Sequence, residues 1–141
     1  MFDLPIRSVM EQHELLTAPP ETTVSDAARL MAAKDTGAVL VVVDDRLIGI
    51  FTERDAVFRV IAQGRDAAKT SLREVMTPDP KTLDPHKTYG QALVLMQENG
   101  FRHVPVMDNG KLIGIVRSRN ALDPDLEEFI SEERRREHLS Q

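Results

Sequence analysis

The chain has 141 residues, of which 41% are hydrophobic and 29% are charged, with a formal net charge of −5 and no cysteine. This length suits one ordinary domain, or two very small units that share a core. The absence of cysteine excludes disulfides, thiolate nucleophiles and cysteine metal sites. The negative charge argues against a general nucleic-acid binder, which would need clustered Lys and Arg to meet the phosphates.

No segment of the sequence has the length of a membrane span. The longest apolar run, residues 38–43, is far too short to cross a bilayer. The first ten residues, MFDLPIRSVM, include the acid Asp3 and lack the apolar core of a signal peptide. We therefore expect a soluble, cytoplasmic protein with no membrane partner.

In chain order, the first half has signals for a short strand, a helix, two strands and a second helix. The first helix begins after Thr22 and Thr23 and has one apolar face. The β-branched run at residues 39–43 predicts a strand that ends in an Asp-Asp turn, and residues 47–51 predict the returning strand. The second helix starts near residue 56 and ends at Gly64.

The second half repeats this order. A helix follows Thr88, a strand at residues 104–107 ends in the turn Asp108-Asn109-Gly110, and residues 112–116 return. The pairs that are identical 65 positions apart are Thr17 and Thr82, Ala27 and Ala92, Leu30-Met31 and Leu95-Met96, Leu47-Ile48 and Leu112-Ile113, and Gly49-Ile50 and Gly114-Ile115. Val9-Met10 recurs as Val75-Met76 at an offset of 66. An internal repeat of this kind decides the architecture.

The repeat predicts a mixed α/β (α+β) fold of two β-α-β-β-α units. The units should pack together, because a small sheet with helices on one face leaves its other face or an edge needing a partner. We place the first unit at residues 9–64, a linker at 65–72, the second unit at 73–122, and a C-terminal helix with a polar tail at 123–141. For the tail, a solvated end and a contact with a dimer mate or partner both stay open.

The turn that follows the returning strand of the first unit, GIFTERD at residues 49–55, has two interpretations. Thr52 and Asp55 nearly form a capping box, and Gly49 allows close strand packing. The same geometry suits a sugar phosphate, because a helix N-terminus presents free backbone N–H groups. Thr52 and Arg54 would then donate to the phosphate, and Asp55 would accept from the ribose hydroxyls.

The equivalent turn of the second unit, GIVRSRN at residues 114–120, keeps the glycine and loses the acid. Arg117 replaces Thr52, and Asn120 replaces Asp55. An Asn still hydrogen-bonds a hydroxyl, and Arg117 is able to meet a phosphate. If both units form sites, the two sites should differ in affinity.

The sequence contains no sign of catalysis or of a metal site. None of His13, His86, His103 and His138 has a histidine four residues away or an HExxH-like setting. No local nucleophile motif such as GxSxG is present. His103 follows Arg102 at the entry to a buried strand, where anion contact and a plain solvated strand end are alternative interpretations.

The tandem units resemble a pair of CBS (cystathionine β-synthase type) domains forming one Bateman module. The resemblance covers about residues 9–122 and rests on Val-Met at each entry, DAARLM and QALVLM in the first helices, HVPVMDNGKLIGIV, and the match of GIFTERD to the family turn G-h-x-[ST]-x-x-[DN]. It implies two repeats packed about a pseudo-twofold axis. It also implies a homodimeric regulatory module, not an enzyme, that binds AMP, ADP or ATP, or else NAD or S-adenosylmethionine.

In this family, each cleft combines the glycine turn of one repeat with the strand entry and helix start of the other. By this resemblance, the better cleft would use Gly49, Thr52, Arg54, Asp55, Lys87, Ala92, Arg102, His103 and Pro105. Asp55 would hold the ribose, Lys87 and Ala92 would lie near the adenine, and the remaining polar groups would face the phosphates. The weaker cleft would use Thr22, Ala27, Ala38, Val39, Gly114, Arg117 and Asn120.

We therefore expect a module that senses an adenine nucleotide and changes its packing to modulate a separate, unidentified protein. A ligand does this only through different affinities for two states. The alternative is a structural or protein-interaction adaptor whose clefts are vestigial, which the altered second turn would explain. A small hydrolase or a nucleic-acid binder fits poorly with the missing nucleophile motif and the negative charge.

Overall fold

The computed structural model of the protein describes residues 2–11, 15–118 and 135–136. Its elements are α1 (Ile6–Val9), β1 (Thr17–Ala18), α2 (Val24–Lys34), β2 (Ala38–Val43), β3 (Arg46–Thr52), α3 (Glu53–Asp55), a π-helical segment (Ala56–Ile61), α4 (Leu72–Val75), β4 (Thr77–Pro78), α5 (Tyr89–Asn99), β5 (His103–Asp108) and β6 (Lys111–Arg117). The candidate Asn120 lies outside the described residues, as does the predicted helix and tail at 123–141 apart from Arg135 and Arg136, which are exposed.

The strands form two sheets with the same arrangement. The first has the order β1-β2-β3-β4, with β1 parallel to β2 and the other neighbours antiparallel. The second is the antiparallel pair β5 and β6. It is extended at one edge by Leu83, which pairs in parallel with Val106, and at the other by Glu11, which pairs with Ile115. The predicted repeat and the mixed α/β fold are confirmed.

Local sequence signals account for the helix and hairpin ends. Thr23 and Thr88 cap α2 and α5, with side chains that accept from the amides of Asp26 and Gln91. The hairpin turn at Asp44-Asp45 has φ values of 49° and 64°, the left-handed pair that a two-residue hairpin turn requires. The predicted helix after residue 56 differs in one respect: it is π-helical, and the amide of Ala62 donates to the Val57 carbonyl at 2.8 Å.

The entry segment of each repeat, residues 6–10 in the first and 72–76 in the second, packs in the core of the other repeat. Ile6 and Met10 lie in the second core beside Tyr89, whereas Leu72 and Met76 lie in the first core. The edge pairing follows the same exchange, since β4 pairs with β3 and Glu11 pairs with β6. Each core therefore includes residues from the other half of the sequence.

A third cluster of buried apolar side chains joins the two sheets. It consists of Ala38 and Leu40 from β2, Ile50 from β3 and Ile115 from β6. Removing this apolar surface from water stabilises the packed pair of repeats. The cluster also holds β3 against β6, so the ends of strands from both repeats meet at one place.

Candidate functional site

A cavity of about 470 Å³ lies at this meeting of strand ends. Its polar wall consists of Asp35, Thr36, Glu53, Arg102, His103, Arg117 and Ser118, and its apolar wall includes Ala28, Met31, Ala32 and Ala56. Both repeats contribute to the wall, and the volume is that of a typical small-molecule site. Two arginines, one histidine and two acids line the same cavity. This combination suits a ligand that has an oxyanion and also carries hydroxyl or amino donors.

Matching backbone hydrogen bonds build the two sides of the cavity. In the first repeat, the amide of Glu53 donates to the Gly37 carbonyl at 3.0 Å, which places Glu53 beside the start of β2. In the second repeat, the amide of Ser118 donates to the Arg102 carbonyl at 3.0 Å. Gly37 and Arg102 are 65 positions apart, as are Glu53 and Ser118, so the offset that relates the two repeats also relates the two hydrogen bonds at the cavity.

The first glycine turn forms a complete capping box. The Thr52 amide donates to Asp55 Oδ2 at 2.9 Å, and the Asp55 amide donates to Thr52 Oγ1 at 3.4 Å. Arg59 Nε lies 3.5 Å from the other carboxylate oxygen of Asp55. The capping interpretation of this turn is confirmed. Asp55 is only 8% exposed, and the acid of this turn that lines the cavity is its neighbour Glu53.

The two glycines of the turns make room for the exchanged entry segments. A Cβ atom on Gly49 would lie 2.3 Å from Sδ of Met76, and one on Gly114 would lie 2.8 Å from Sδ of Met10. Real Cβ atoms do not approach sulfur so closely, so an alanine at either position would force the methionine side chain to move within a close-packed core. In the structure these two residues support the architecture of the repeats.

The second turn differs from the first in its side chains. Arg117 is 7% exposed, and its Nη2 donates to Thr36 Oγ1 at 2.6 Å and lies 3.1 Å from Glu11 Oε2. The Tyr89 hydroxyl donates to the Arg117 carbonyl at 2.9 Å, and burial raises the pKa of Tyr89 to about 12. The residue in place of Thr52 therefore spans from the second repeat to the first.

The remaining predicted site residues lie outside the cavity wall. Arg54 and Lys87 are exposed, with Arg54 4.8 Å from the centre of the Phe58 ring. Pro105 is buried, and its carbonyl accepts from the amide of Leu83. Thr22, whose carbonyl accepts from Leu72, is half-buried, and the side chains of Ala27, Ala38, Val39 and Ala92 are buried in apolar clusters.

Of the predicted residues, the structure brings Arg102 and His103, which were predicted for one cleft, to the same cavity as Arg117, which was predicted for the other cleft. The sequence interpretation missed Asp35, Thr36 and Glu53. Asp35 has φ of 50° and ends α2 in the left-handed conformation, so the chain turns sharply there into β2. The signal that would have found Asp35 and Thr36 is the repeat itself, which aligns them with Gly100 and Phe101, directly before the predicted entry Arg102.

In the part of the chain that the structure describes, no three His, Asp or Glu side chains come together as possible metal ligands. No helix among the same residues is long and apolar enough to cross a membrane.

Comparison with known families agrees with the geometry of two repeats around one cavity. The model of the CBS domain matches residues 6–62 and again residues 72–125. The chain belongs to the CBS domain family. The predicted resemblance is thereby confirmed, and the two matched stretches form a CBS pair, a regulatory type of module.

Relatives and solved structures agree with this assignment. The chain is 35% identical over 126 residues to an uncharacterized protein from Methanopyrus kandleri, covering 86% of this chain and 64% of that protein. It is 36% identical to a CBS domain-containing protein from Bacillus subtilis, covering 73% of each chain. The crystal structure of an uncharacterized conserved protein from Pyrococcus horikoshii matches this CBS pair with a TM-score of 0.79 and 30% identity, covering 85% of this chain and 90% of that one.

A CBS domain protein from Pyrobaculum aerophilum, whose structure is complexed with AMP, shares the fold with a TM-score of 0.78. Its identity is 19%, and the match covers 92% of this chain and 99% of that one. At this identity the likeness concerns the fold of the CBS pair.

Proposed function

We propose that this CBS pair is a regulatory module that binds an adenine nucleotide in the cavity between its repeats. The observation that carries the proposal is the convergence of Arg102, His103 and Arg117 on one cavity of about 470 Å³. Guanidinium groups recognise phosphate oxygens through paired, charge-assisted hydrogen bonds. The fold is also that of the AMP-bound protein from Pyrobaculum aerophilum, which supports the proposal at the level of fold.

The acids of the cavity wall would recognise the nucleoside. Glu53 and Asp35 line the cavity and are both acceptors for ribose hydroxyls or for the adenine amino group. The predicted ribose contact of Asp55 stays a prediction. Its carboxylate is engaged by the cap, so a ribose would reach Glu53 without breaking hydrogen bonds of the folded chain.

The location of the cavity between the repeats suggests how nucleotide binding would regulate a partner protein. Thr36 and Glu53 belong to the first repeat, and Arg102 and Ser118 belong to the second. A ligand that contacts both sides binds most tightly to one relative arrangement of the repeats, and it shifts the population toward that arrangement. A partner protein that distinguishes the arrangements would thereby respond to the nucleotide. We propose no catalytic step.

Calorimetry with AMP, ADP, ATP, NAD and S-adenosylmethionine tests the proposal. At least one ligand should bind the wild type, and Arg102→Ala should lower its affinity at least tenfold, since charge-assisted hydrogen bonds contribute about 1.5–3 kcal/mol. The matched control is Arg73→Ala, because Arg73 on α4 is an exposed arginine outside the cavity wall, and it pairs with Glu21 in the segment before α2. The proposal is wrong if no ligand binds, or if both variants lose affinity equally.

Comparing Glu53→Gln with Asp55→Asn identifies the ribose acceptor. Each variant removes one charge and keeps an oxygen acceptor, so Asp55→Asn still accepts from the Thr52 amide. We expect the larger loss of nucleotide affinity in Glu53→Gln. A larger loss in Asp55→Asn would instead support the family-based prediction.

We also propose that the chain forms a homodimer through the outer face of the π-helical segment. Val57, Phe58 and Ile61 on this face are 50%, 56% and 71% exposed. Adjacent exposed apolar side chains of this size are typical of protein interaction sites. Sedimentation should show a dimer that Ile61→Lys dissociates. A dimer without any nucleotide stabilisation would favour the alternative, an adaptor with vestigial clefts.

A further inference from the structure

Arg117 connects the cavity to the N-terminal segment, defined here as residues 2–11. Its side chain lines the cavity and contacts Glu11 through an Nη2 to Oε2 distance of 3.1 Å. Glu11 also pairs with β6: its amide donates to the Ile115 carbonyl at 2.8 Å, and the Ile115 amide donates back at 3.1 Å. One guanidinium therefore lies between the proposed ligand and the edge of the second sheet.

The first repeat has no such charged pair at the equivalent positions. Thr52 stands 65 positions before Arg117, and Thr77 stands 66 positions after Glu11, at the two offsets that relate the repeats. Thr77 pairs with Ile50 just as Glu11 pairs with Ile115. The fold thus accepts uncharged residues at both positions, and the second repeat carries an ion pair that the edge pairing itself does not require.

We propose that the phosphate of the bound nucleotide competes with Glu11 for Arg117, so that ligand binding loosens the pairing of the N-terminal segment with β6. This inference rests on the proposed nucleotide site and adds a route by which its occupancy is transmitted. A carboxylate and a phosphate are both oxyanions that match a guanidinium, and the dianionic phosphate is the stronger partner. Phosphate oxygens in the cavity would also repel the Glu11 carboxylate.

The change would be confined to the edge of the second sheet. Ile6 and Met10 remain in the second core, where Ile6 has no exposed surface. Only the last residues of the segment, around Glu11, depend on the contact with Arg117. The expected signal is therefore a local loss of edge pairing, with the core packing of α1 retained.

Reciprocity provides the test. If the ligand weakens the contact between Glu11 and Arg117, then weakening that contact must strengthen ligand binding by the same factor. Glu11→Gln keeps the backbone pairing and removes the competing charge. We expect Glu11→Gln to bind AMP about fivefold more tightly than the wild type in calorimetry, the lower end of typical coupling between sites.

Asp108→Asn is the matched control. Asp108 forms the other ion pair of the N-terminal segment, with Arg7 at 3.3 Å, and the substitution changes the net charge by the same amount. It lies at the hairpin end of β5, five residues from the cavity residue His103 and so about 17 Å away along the strand. Its affinity for AMP should equal that of the wild type.

Hydrogen exchange in the wild type gives an independent readout. With saturating AMP, the amides of Glu11 and Ile115 should exchange faster, whereas the Thr77 and Ile50 amides of the equivalent pairing serve as the internal reference. An unchanged exchange rate together with equal AMP affinity in the wild type and Glu11→Gln would overturn this inference and leave the proposed function standing. An equal gain in Asp108→Asn would also overturn it, because net charge or general loosening would then explain the effect. If AMP and the other nucleotides fail to bind any of the proteins, both proposals are wrong.

Discussion

The two glycine turns share a backbone and differ in what their side chains reach. In the first turn, Thr52 and Asp55 bind each other three residues apart. In the second, Arg117 reaches Thr36 in the other repeat and Glu11 in the N-terminal segment. The polar side-chain contacts of Thr52 and Asp55 are thus local, whereas Arg117 in the second turn holds distant parts of the chain together. A repeated fold can therefore keep its framework and place different chemistry at two equivalent positions.

The two repeats also differ at the first residue of α2 and of α5. Tyr89 occupies the position equivalent to Val24, 65 residues earlier, and its hydroxyl donates a hydrogen bond to the carbonyl of Arg117. Both side chains are buried in their cores. The second turn consequently combines one buried hydrogen bond and one ion pair that have no counterparts in the first.

The largest effect should come from the shared framework. Gly49→Ala places a Cβ 2.3 Å from Sδ of Met76, and we expect it to lower the free energy of unfolding by about 2–3 kcal/mol, as overpacked core variants do. Urea unfolding measures the change. Gly114→Ala, whose Cβ would lie 2.8 Å from Sδ of Met10 and 3.1 Å from the backbone oxygen of Glu11, should lower the free energy of unfolding as well. In the double variant Gly49→Ala, Met76→Ala the clash is absent, so its loss should be smaller than the sum of the two single losses; strict additivity would contradict this explanation.

The next effect separates the first turn from the second. Asp55→Ala removes the capping box, and the free energy of unfolding should fall by about 1 kcal/mol, since the Thr52 amide loses its acceptor. Asp55→Asn retains an acceptor for the Thr52 amide and should therefore cost less. Thermal unfolding at neutral pH compares the two. Equal losses would show that the charge of Asp55 beside Arg59, and not the cap, stabilises this turn.

Tyr89→Phe tests the hydrogen bond that only the second turn has. The phenylalanine keeps the buried ring and leaves the Arg117 carbonyl without the hydroxyl donor, so the free energy of unfolding should fall by about 1 kcal/mol. Urea unfolding of the variant gives the value. A variant as stable as the wild type would show that the carbonyl finds water instead.

The pH dependence of the same residue should appear only in alkaline solution. Burial raises the pKa of Tyr89 from 10 to about 12, so the folded state holds the phenolic proton more tightly than the unfolded state does. This contribution to stability is complete below pH 10 and is lost as the pH rises from 10 to 12. Because the chain has one tyrosine and no tryptophan, the absorbance of tyrosinate follows this group alone. An ionisation midpoint near pH 10 in the folded protein would contradict the prediction, and Tyr89→Phe should lack this part of the alkaline loss.

Much of the fold was predictable because its signals are local. The threonine caps before α2 and α5 and the turns at Asp44-Asp45 and Asn109-Gly110 each depend on a few neighbouring residues. The site was less predictable. Arg102, His103 and Arg117 were considered as anion contacts from the strand entry and the second turn, and the family resemblance then assigned them to clefts, but Glu53 was passed over because a lone acid beside a capping box has no distinctive pattern. The role of Asp55 was ambiguous for a related reason, since one carboxylate suits both a helix cap and a ribose.

Periodicity and contacts between near neighbours were enough to predict the repeat, the order of helices and strands, the hairpin turns and the family. The packing of the two repeats was needed to show that each entry segment completes the core of the other repeat, and that Arg117 contacts Thr36 and Glu11. Arg117 is 81 positions from Thr36 and farther still from Glu11. Such contacts depend on how two sheets pack through shared apolar surface, and no local pattern in the chain encodes which polar side chains that packing brings together.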